Sequence, residues 1–284
     1  MLSDAFLARL DALALRMRHA AGGGAGGVRR SKALGSSVEF SDFREYVLGD
    51  DIRRVDWNAY ARFDRLFVKL FMEEREQQVH LLLDASASMD FGKWENAKKL
   101  VETLAYLALC GGDRVTAYTL GEETRHTRPL QGRQSYPTLT AFLEQARPSG
   151  ALALGKSVDR LTLSPGRGAA VLVSDLLTED GYERALQSLL YRRQEVSVLQ
   201  IWSPAEWEPE LEGVLELTDS ETGERVPLTA DYETLKRYRQ VARAYVEEAA
   251  TFCRAHGMTH AFLLSEDPFE EGMLRTFSRL GLIA

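Results

Sequence analysis

After residue 77 the sequence alternates between short apolar stretches and longer stretches with helical spacing. The apolar stretches lie near residues 79–83, 114–120, 170–174, 196–201 and 259–264. The helical patterns lie near residues 93–110, 135–146, 154–163, 181–193, 231–256 and 268–279. This strand–helix alternation predicts a mostly parallel sheet with helices on both of its faces. We therefore predict an α/β domain over residues 77–284.

Residues 211–229 interrupt this alternation. Two short β-prone segments, 215–218 and 224–228, flank the polar stretch Ser220-Glu221-Thr222-Gly223. A polar turn that ends in glycine, placed between two such segments, predicts a surface hairpin inserted into the α/β domain.

The first 76 residues are organised differently. Residues 4–19 have the spacing of an amphipathic helix. Its apolar face carries Phe6, Leu10, Leu13 and Met17. The glycine-rich run at 22–27 predicts a linker, so we expect residues 1–27 to form a helix followed by a linker. The strand-like patterns of residues 28–76 predict a small β-rich segment. We expect the apolar face to pack on the domain; docking to a partner is the alternative.

Charge and hydropathy exclude several functional classes. Residues 203–284 carry 8 basic and 16 acidic side chains, and the whole chain has a net charge of −7, which disfavours general binding to nucleic acid. No run approaches the roughly 20 apolar residues that span a bilayer. Arg9 and Asp11 interrupt any signal-peptide core, and the two cysteines lack metal-type spacing. These features predict a cytoplasmic protein without a membrane segment.

Short oxygen-bearing side chains follow two of the predicted strands. Asp84, Ser86 and Ser88 come directly after the strand near 79–83, and Asp175 follows the strand near 170–174. In an open α/β sheet, ligands collect beyond the carboxyl ends of the strands. Carboxylates, hydroxyls and water suit Mg²⁺, whereas the same groups also cap helices and satisfy loop amides. From the residues alone both interpretations stay open.

The same residues argue against two enzyme classes. A phosphohydrolase with a strand-end aspartate nucleophile needs an acid/base group two residues later, where this chain has Ser86. A serine hydrolase needs a G-x-S-x-G elbow, which the sequence lacks. We therefore predict a non-enzymatic binding protein, with a metal-dependent phosphohydrolase that uses the Asp84 loop as the alternative.

A second charged cluster lies upstream of the α/β domain. It contains Asp50, Asp51, Arg53 and Arg54. Clustered acids hold catalytic metals in some nucleases. Here acids and arginines interleave, so local ion pairs and a turn starting at Gly49-Asp50 are the favoured interpretation. Docking of a partner is the further possibility for these four residues.

The Asp84-x-Ser86-x-Ser88 motif resembles the metal-ion-dependent adhesion site of von Willebrand factor A domains. The resemblance implies a von Willebrand factor A-like, Rossmann-like fold, with Asp175 supplying a third metal loop. In that family the intervening loop supplies a threonine. The matching stretch here is Pro148-Ser149-Gly150-Ala151-Leu152, with Ala151 at the threonine position. The resemblance therefore implies a degenerate Mg²⁺ site that lacks one hydroxyl ligand.

Residues upstream of the Asp84 loop indicate a resemblance to one particular family. They include Gly35-Ser36-Ser37-Val38-Glu39-Phe40, the stretch Arg44–Trp57, Ala61-Arg62 and Lys69. Together with the Asp84 loop, they are similar to a bacterial family known as domain of unknown function 58. Members of that family resemble partners or adaptors of MoxR-type AAA+ ATPases, which remodel or activate client proteins. The resemblance implies an adaptor function for this chain.

Overall fold

Strands and helices alternate through most of the chain, as the sequence pattern predicts. The computed structural model describes residues 2–22, 38–47, 50–73, 77–163, 166–178, 180–266 and 268–279. The strands are β1 (Val38–Glu45), β2 (Phe67–Glu73), β3 (Gln78–Asp84), β4 (Arg114–Leu120), β5 (Arg125–His126), β6 (Leu130–Gln131), β7 (Gly168–Ser174), β8 (Gln194–Trp202), β9 (Gly213–Thr218), β10 (Arg225–Ala230) and β11 (Thr259–Leu264). The helices are α1 (Asp4–Gly22), α2 (Trp57–Phe63), α3 (Trp94–Gly111), α4 (Tyr136–Gln145), α5 (Leu154–Asp159), α6 (Glu183–Tyr191), α7 (Pro204–Trp207), α8 (Tyr232–Ala255) and α9 (Phe269–Arg279).

The main sheet has the topology of a doubly wound α/β domain. Its strand order is β11-β8-β7-β3-β4-β5, and β6 also pairs with β4. The strands β3, β4, β7, β8 and β11 run parallel, whereas β5 and β6 pair antiparallel with β4. If β3, β4, β5, β7, β8 and β11 are renumbered 1 to 6, the order read from the β5 edge is 3-2-1-4-5-6. This is the strand order of Rossmann-like sheets, here with an antiparallel edge strand. The predicted von Willebrand factor A-like fold is confirmed.

The leucines of β3 show how both faces of the sheet are buried. Leu81 and Leu83 belong to one core cluster, with residues of α1, α3, α4 and α9. Leu82 belongs to the other, with residues of α5, α6 and α8. Successive side chains of a strand point to opposite faces, so a central strand covered on both sides needs a continuous apolar run. Together the two clusters fix the carboxyl ends of the strands at one edge.

The structure departs from the predicted pattern in a few places. The helix predicted over 154–163 ends at Asp159. Arg192 donates to the backbone oxygens of Asp159 and Leu161, which satisfies carbonyls that a longer helix would have used. The short strands β5 and β6 and the helix α7 were not predicted, because elements of two to four residues carry no periodic signal.

The chain forms two compact units: residues 18–76, and residues 1–17 together with 77–284. In the smaller unit β1 and β2 pair antiparallel, with an irregularity between Phe40 and Asp42. The helix α2, absent from the prediction, starts where Asp56 Oδ1 accepts hydrogen bonds from the backbone N–H groups of Asn58 and Ala59. In the larger unit β9 and β10 form the expected antiparallel hairpin.

The N-terminal helix packs on the larger unit, as expected from its apolar face. Phe6 and Leu10 are buried in the core cluster that contains Leu83, and Leu13 packs against it. At the helix surface, the hydroxyl of Tyr106 donates to Asp11 at 2.5 Å. The side chain of Met17 and the glycines from residue 23 onward lie outside the described residues. In the described part of the chain, no helix is both long enough and apolar enough to cross a membrane.

Replacing Leu10 with alanine tests the contribution of this helix to stability. Leu10 is fully buried, so we expect Leu10→Ala to lower the free energy of unfolding by about 2–5 kcal/mol, measured by denaturant titration. The control Arg9→Ala alters an exposed side chain on the same helix and should change stability by less than about 1 kcal/mol. Equal, small effects of both variants would show that the helix does not contribute to the core.

Buried His80 predicts a loss of stability in acid. Its side chain is 1% exposed, Nδ1 lies 3.4 Å from the hydroxyl of Tyr118, and Nε2 has no hydrogen-bond partner among the described residues. Burial lowers the pKa of His80 from 6.5 to about 4. The unfolded chain therefore takes up a proton at a pH where the folded imidazole stays neutral. Stability should fall by roughly 3 kcal/mol as the pH drops from about 6.5 to about 4.

Unfolding titrations of wild type and His80→Phe across this pH range test the assignment. The variant cannot bind the proton in either state, so the difference in unfolding free energy between the two proteins should change with pH. The control His256→Gln removes an exposed histidine and should follow wild type. If the wild-type and His80→Phe curves run parallel, His80 is not the source of the acid sensitivity.

Candidate functional site at the carboxyl edge of the sheet

The loop after β3 holds Asp84 in a buried hydrogen-bonded turn. Asp84 and Ser86 are almost completely buried, and Ser88 is partly exposed. Asp84 Oδ1 accepts from the backbone N–H of Ser86 at 2.9 Å and from its hydroxyl at 2.7 Å. The hydroxyl oxygens of Ser86 and Ser88 lie 3.0 Å apart. The alternating spacing of the motif therefore places three oxygen-bearing side chains in one continuous chain of contacts.

The loop after β7 completes this cluster. The hydroxyl of Ser174 donates to Asp84 Oδ2 at 2.6 Å. The hydroxyl of Ser88 donates to Asp175 Oδ2 at 2.8 Å. The structure thus brings together Asp84, Ser86, Ser88 and Asp175, the four residues predicted from the sequence. Ser174 is a further member, which the sequence analysis treated only as the end of a strand.

The cluster carries more negative charge than its surroundings favour. Burial, followed by the negative charge of Asp175, raises the pKa of Asp84 to about 7. Hydrogen bonds from Ser174 and Ser86 act in the opposite direction and do not outweigh burial. A cation placed nearby would stabilise the ionised form of a carboxyl group with such a pKa.

A buried lysine reaches the cluster from the start of α3. Lys93 is completely buried, and its Nζ donates to Asp175 Oδ2 at 2.7 Å. The same ammonium contacts Glu206 Oε1 on α7. Glu206 is partly exposed and also accepts from the backbone N–H of Ser203 at 2.7 Å. Lys93 and Glu206 therefore connect the loop after β3 to the ends of both β7 and β8.

The sequence contains signals for both of these residues. Lys93 is the N-cap of α3 and makes no capping hydrogen bond there. Small polar or acidic residues are preferred at this position, and the helix dipole disfavours a cation, so a lysine here indicates another role. Glu206 follows Ser203 by three residues and forms a capping box with it.

The residue after Asp175 has a strained backbone. Leu176 is buried and has φ = 64°, a left-handed conformation that bulky residues rarely adopt. Its N–H donates to the hydroxyl of Ser174 at 2.9 Å, and its carbonyl accepts from the hydroxyl of Tyr245 at 2.6 Å. The carbonyl of Asp175 accepts from the indole N–H of Trp202 at 2.9 Å. Such strain, held in place by surrounding contacts, is typical of functional loops.

The loop of residues 148–151 lies against the loop after β3. The backbone N–H of Ala87 donates to the carbonyl of Gly150 at 2.8 Å, and the N–H of Ser149 donates to the carbonyl of Ala85 at 2.9 Å. Gly150 has φ = +66°, and a Cβ there would lie 2.4 Å from Glu122 Oε1. The backbone is thus arranged for the intervening ligand loop, but the methyl group of Ala151 supplies no oxygen.

The donor set fits a weakly held Mg²⁺ ion. Serine hydroxyls and carboxylates are suitable ligands, and the raised pKa of Asp84 indicates that an added positive charge is tolerated. Two features oppose tight binding: Ala151 lacks a hydroxyl, and Lys93 already places a positive charge on Asp175. Within the described ranges no three His, Cys, Asp or Glu side chains are grouped as metal ligands. The hydroxyls and water would therefore provide most of the coordination.

The upstream cluster forms local ion pairs in the smaller unit. Asp50 accepts two hydrogen bonds from Arg44, at 2.8 and 2.9 Å, and a third from the backbone N–H of Val47. The hydrogen bonding to Arg44 lowers the pKa of Asp50 most, and the bond from Val47 lowers it further. Asp51 accepts from the backbone and side chain of Arg53 and caps the short 3₁₀ helix Ile52–Arg54. The side chain of Arg54 lies outside the described residues. Partner binding by these residues stays a prediction.

The strand order and strand directions of the main sheet are those of a von Willebrand factor A-like fold. The chain belongs to the family described as protein of unknown function DUF58, whose model matches residues 42–248. This confirms the resemblance to that family, which the residues upstream of the α/β domain indicated. Uncharacterized proteins of Mycobacterium tuberculosis and Mycobacterium bovis are 30% identical over 234 residues, which cover 78% of this chain and 73% of each relative.

Two solved structures share the general architecture. One is the conserved hypothetical protein BatB from Bacteroides thetaiotaomicron, with 16% identity and a TM-score of 0.43. The other is an aerotolerance-related membrane protein from Bacteroides fragilis, with 18% identity and a TM-score of 0.44. Each similarity covers 72% of this chain and 98% of the other.

Ala151→Thr tests whether the intervening loop, residues 148–152, limits metal affinity. A threonine hydroxyl would restore an oriented oxygen next to the loop after β3. We expect Mg²⁺ binding, measured by isothermal titration calorimetry, to tighten by about tenfold, which corresponds to about 1.4 kcal/mol. The gain should vanish when Asp84→Ala is added. If wild type already binds tightly and Ala151→Thr changes nothing, residue 151 does not occupy the ligand position.

Proposed function

We propose that this protein is a non-enzymatic adaptor that docks a partner protein at the carboxyl edge of its sheet. The proposed partner is a MoxR-type AAA+ ATPase, which the adaptor assists in activating or remodelling a client protein. Membership of the DUF58 family and the resemblance of its members to adaptors of such ATPases support this partner. A cytoplasmic location is part of the proposal and is compatible with the free, buried thiol of Cys253.

One observation carries the proposal: apolar side chains are exposed on the same loops that bear the buried polar cluster. Phe91 is 57% exposed on the loop after β3, and Leu177 is 41% exposed on the loop after β7. Ser88 and Glu206 are the cluster members with partial exposure near this edge. Aromatic and apolar side chains beside polar groups are typical of protein interfaces. We therefore assign these strand-end loops to partner docking.

The arrangement of Asp84 favours binding over phosphoryl transfer. Both of its carboxyl oxygens accept hydrogen bonds from serine hydroxyls, and the side chain is completely buried. A nucleophilic carboxylate needs a free oxygen that reaches the substrate, together with an acid/base group. Ser86 stands where that group would be. We accordingly expect no hydrolytic turnover with any divalent ion.

Magnesium has a secondary role in this proposal. A weakly bound Mg²⁺ would be held by Ser86 and Ser88, with Asp84 and Asp175 nearby. The ion would supply a positive centre to which an acidic side chain of the partner binds. The protein's own contribution is to fix the two hydroxyls and to expose Phe91 and Leu177 on the loops after β3 and β7.

Asp84→Asn tests the docking surface. The amide keeps the size of the carboxyl group and one acceptor oxygen but removes its charge, so we expect the affinity for the cognate ATPase to fall by about tenfold or more. The stability contributed by a protonated Asp84 is lost as the pH rises through about 7, and at pH 8 the neutral amide removes this cost. The Tm should therefore not decrease. Binding is measured by biolayer interferometry with the purified ATPase, and the Tm by calorimetry.

Asp113→Asn is the matched control. Asp113 lies at the amino end of β4, at the opposite edge of the sheet, and accepts from the backbone N–H of Gln77. The same substitution there should leave ATPase binding intact. Unchanged binding by Asp84→Asn would place the docking surface elsewhere. Hydrolysis of phosphate esters by wild type that is lost in Asp84→Asn would favour the phosphohydrolase alternative.

A further inference from the structure

The burial of Lys93 needs an explanation beyond helix formation. Lysine is almost never fully buried unless its ammonium is paired. At the N-cap of α3 the charge faces the positive end of the helix dipole and makes no capping bond. Its contacts are instead with Asp175 and Glu206, carboxylates that follow two other strands. The side chain is therefore placed for the strand-end cluster and not for the helix.

The ammonium and the Ser88 hydroxyl share one oxygen. Both donate to Asp175 Oδ2, at 2.7 Å and 2.8 Å. A divalent ion bound between the serine hydroxyls and Asp175 would need the same region of negative potential. Two cations cannot share that region without strong mutual repulsion. Metal binding at Asp175 therefore requires the ammonium to withdraw.

We infer that the Lys93 ammonium is the resident cation of the strand-end cluster, and that a divalent ion and this ammonium are alternative partners of Asp175. The inference deepens the proposed function, because it concerns the same site, but it does not depend on the identity of the partner. It implies that the loops after β3, β7 and β8 are held together without a metal.

Lys93→Met tests this inference on the isolated protein. Methionine has a similar length and no charge, so Asp175 and Glu206 lose their cation. We expect Mg²⁺ and Mn²⁺ to bind the variant at least about tenfold more tightly than wild type, by calorimetry and by the loss of the free Mn²⁺ signal in electron paramagnetic resonance. The Tm of the variant should rise with added Mg²⁺, whereas that of wild type should stay constant.

Lys156→Met is the matched control, because Lys156 is an exposed lysine on α5. It should bind divalent ions as weakly as wild type does. Should Lys93→Met not fold, the double variant Lys93→Met, Glu206→Gln removes the ammonium together with one of its carboxylates. The same increase in Mn²⁺ affinity is expected there.

Two results would overturn the inference. One is tight Mg²⁺ binding by wild type that Lys93→Met leaves unchanged. The other is a folded Lys93→Met or double variant that gains no affinity for Mg²⁺ or Mn²⁺. Both readouts concern the isolated protein, so they are separate from ATPase binding. A failure to bind the proposed partner would not change the metal-binding result. A failure of the metal-binding test would likewise not change the result for the partner.

Discussion

The buried ion pair between Lys93 and Asp175 joins loops that follow two neighbouring strands. Glu206 extends the contact to a third strand end through α7. Removing one member of a buried pair leaves the other charged and unpaired, which typically costs about 3–5 kcal/mol. The loops that carry Ser88, Phe91 and Leu177 therefore depend on this pair for their positions. In this respect the candidate site resembles a folded core more than a set of independent surface loops.

The parallel sheet determines which side chains can meet at this pair. In the register of β3 and β7, Leu83 lies opposite Val173, so that Asp84 and Ser174 end their strands side by side. The hydrogen bond from Ser174 to Asp84 follows directly from this register. A slip of one residue would turn every side chain of the strand to the other face and separate the two groups. The two apolar faces of the sheet thus maintain the geometry of the polar edge.

Much of this architecture could be predicted from the sequence because its signals are local. The apolar runs at 114–120 and 259–264 coincide with β4 and β11, and the spacing of Asp84, Ser86 and Ser88 indicated a strand-end cluster. Lys93 and Glu206 were missed because their roles depend on contacts across 82 and 113 residues of sequence. The unfavourable N-cap position of Lys93 indicates a role outside the helix but does not identify its partners. The helix α2 was missed because seven residues give too little periodicity.

Leu176 has a consequence for how the carboxylate of Asp175 is oriented. A glycine would reach the left-handed conformation without steric cost, but it would also leave that conformation easily. Leucine accepts strain of about 1–3 kcal/mol, and its buried side chain then resists rotation of the adjoining peptide. Apolar packing below the sheet edge therefore sets the direction of a charged group above it. Substitution of Leu176 by another apolar residue would thus alter recognition at the edge without changing any residue of the polar cluster.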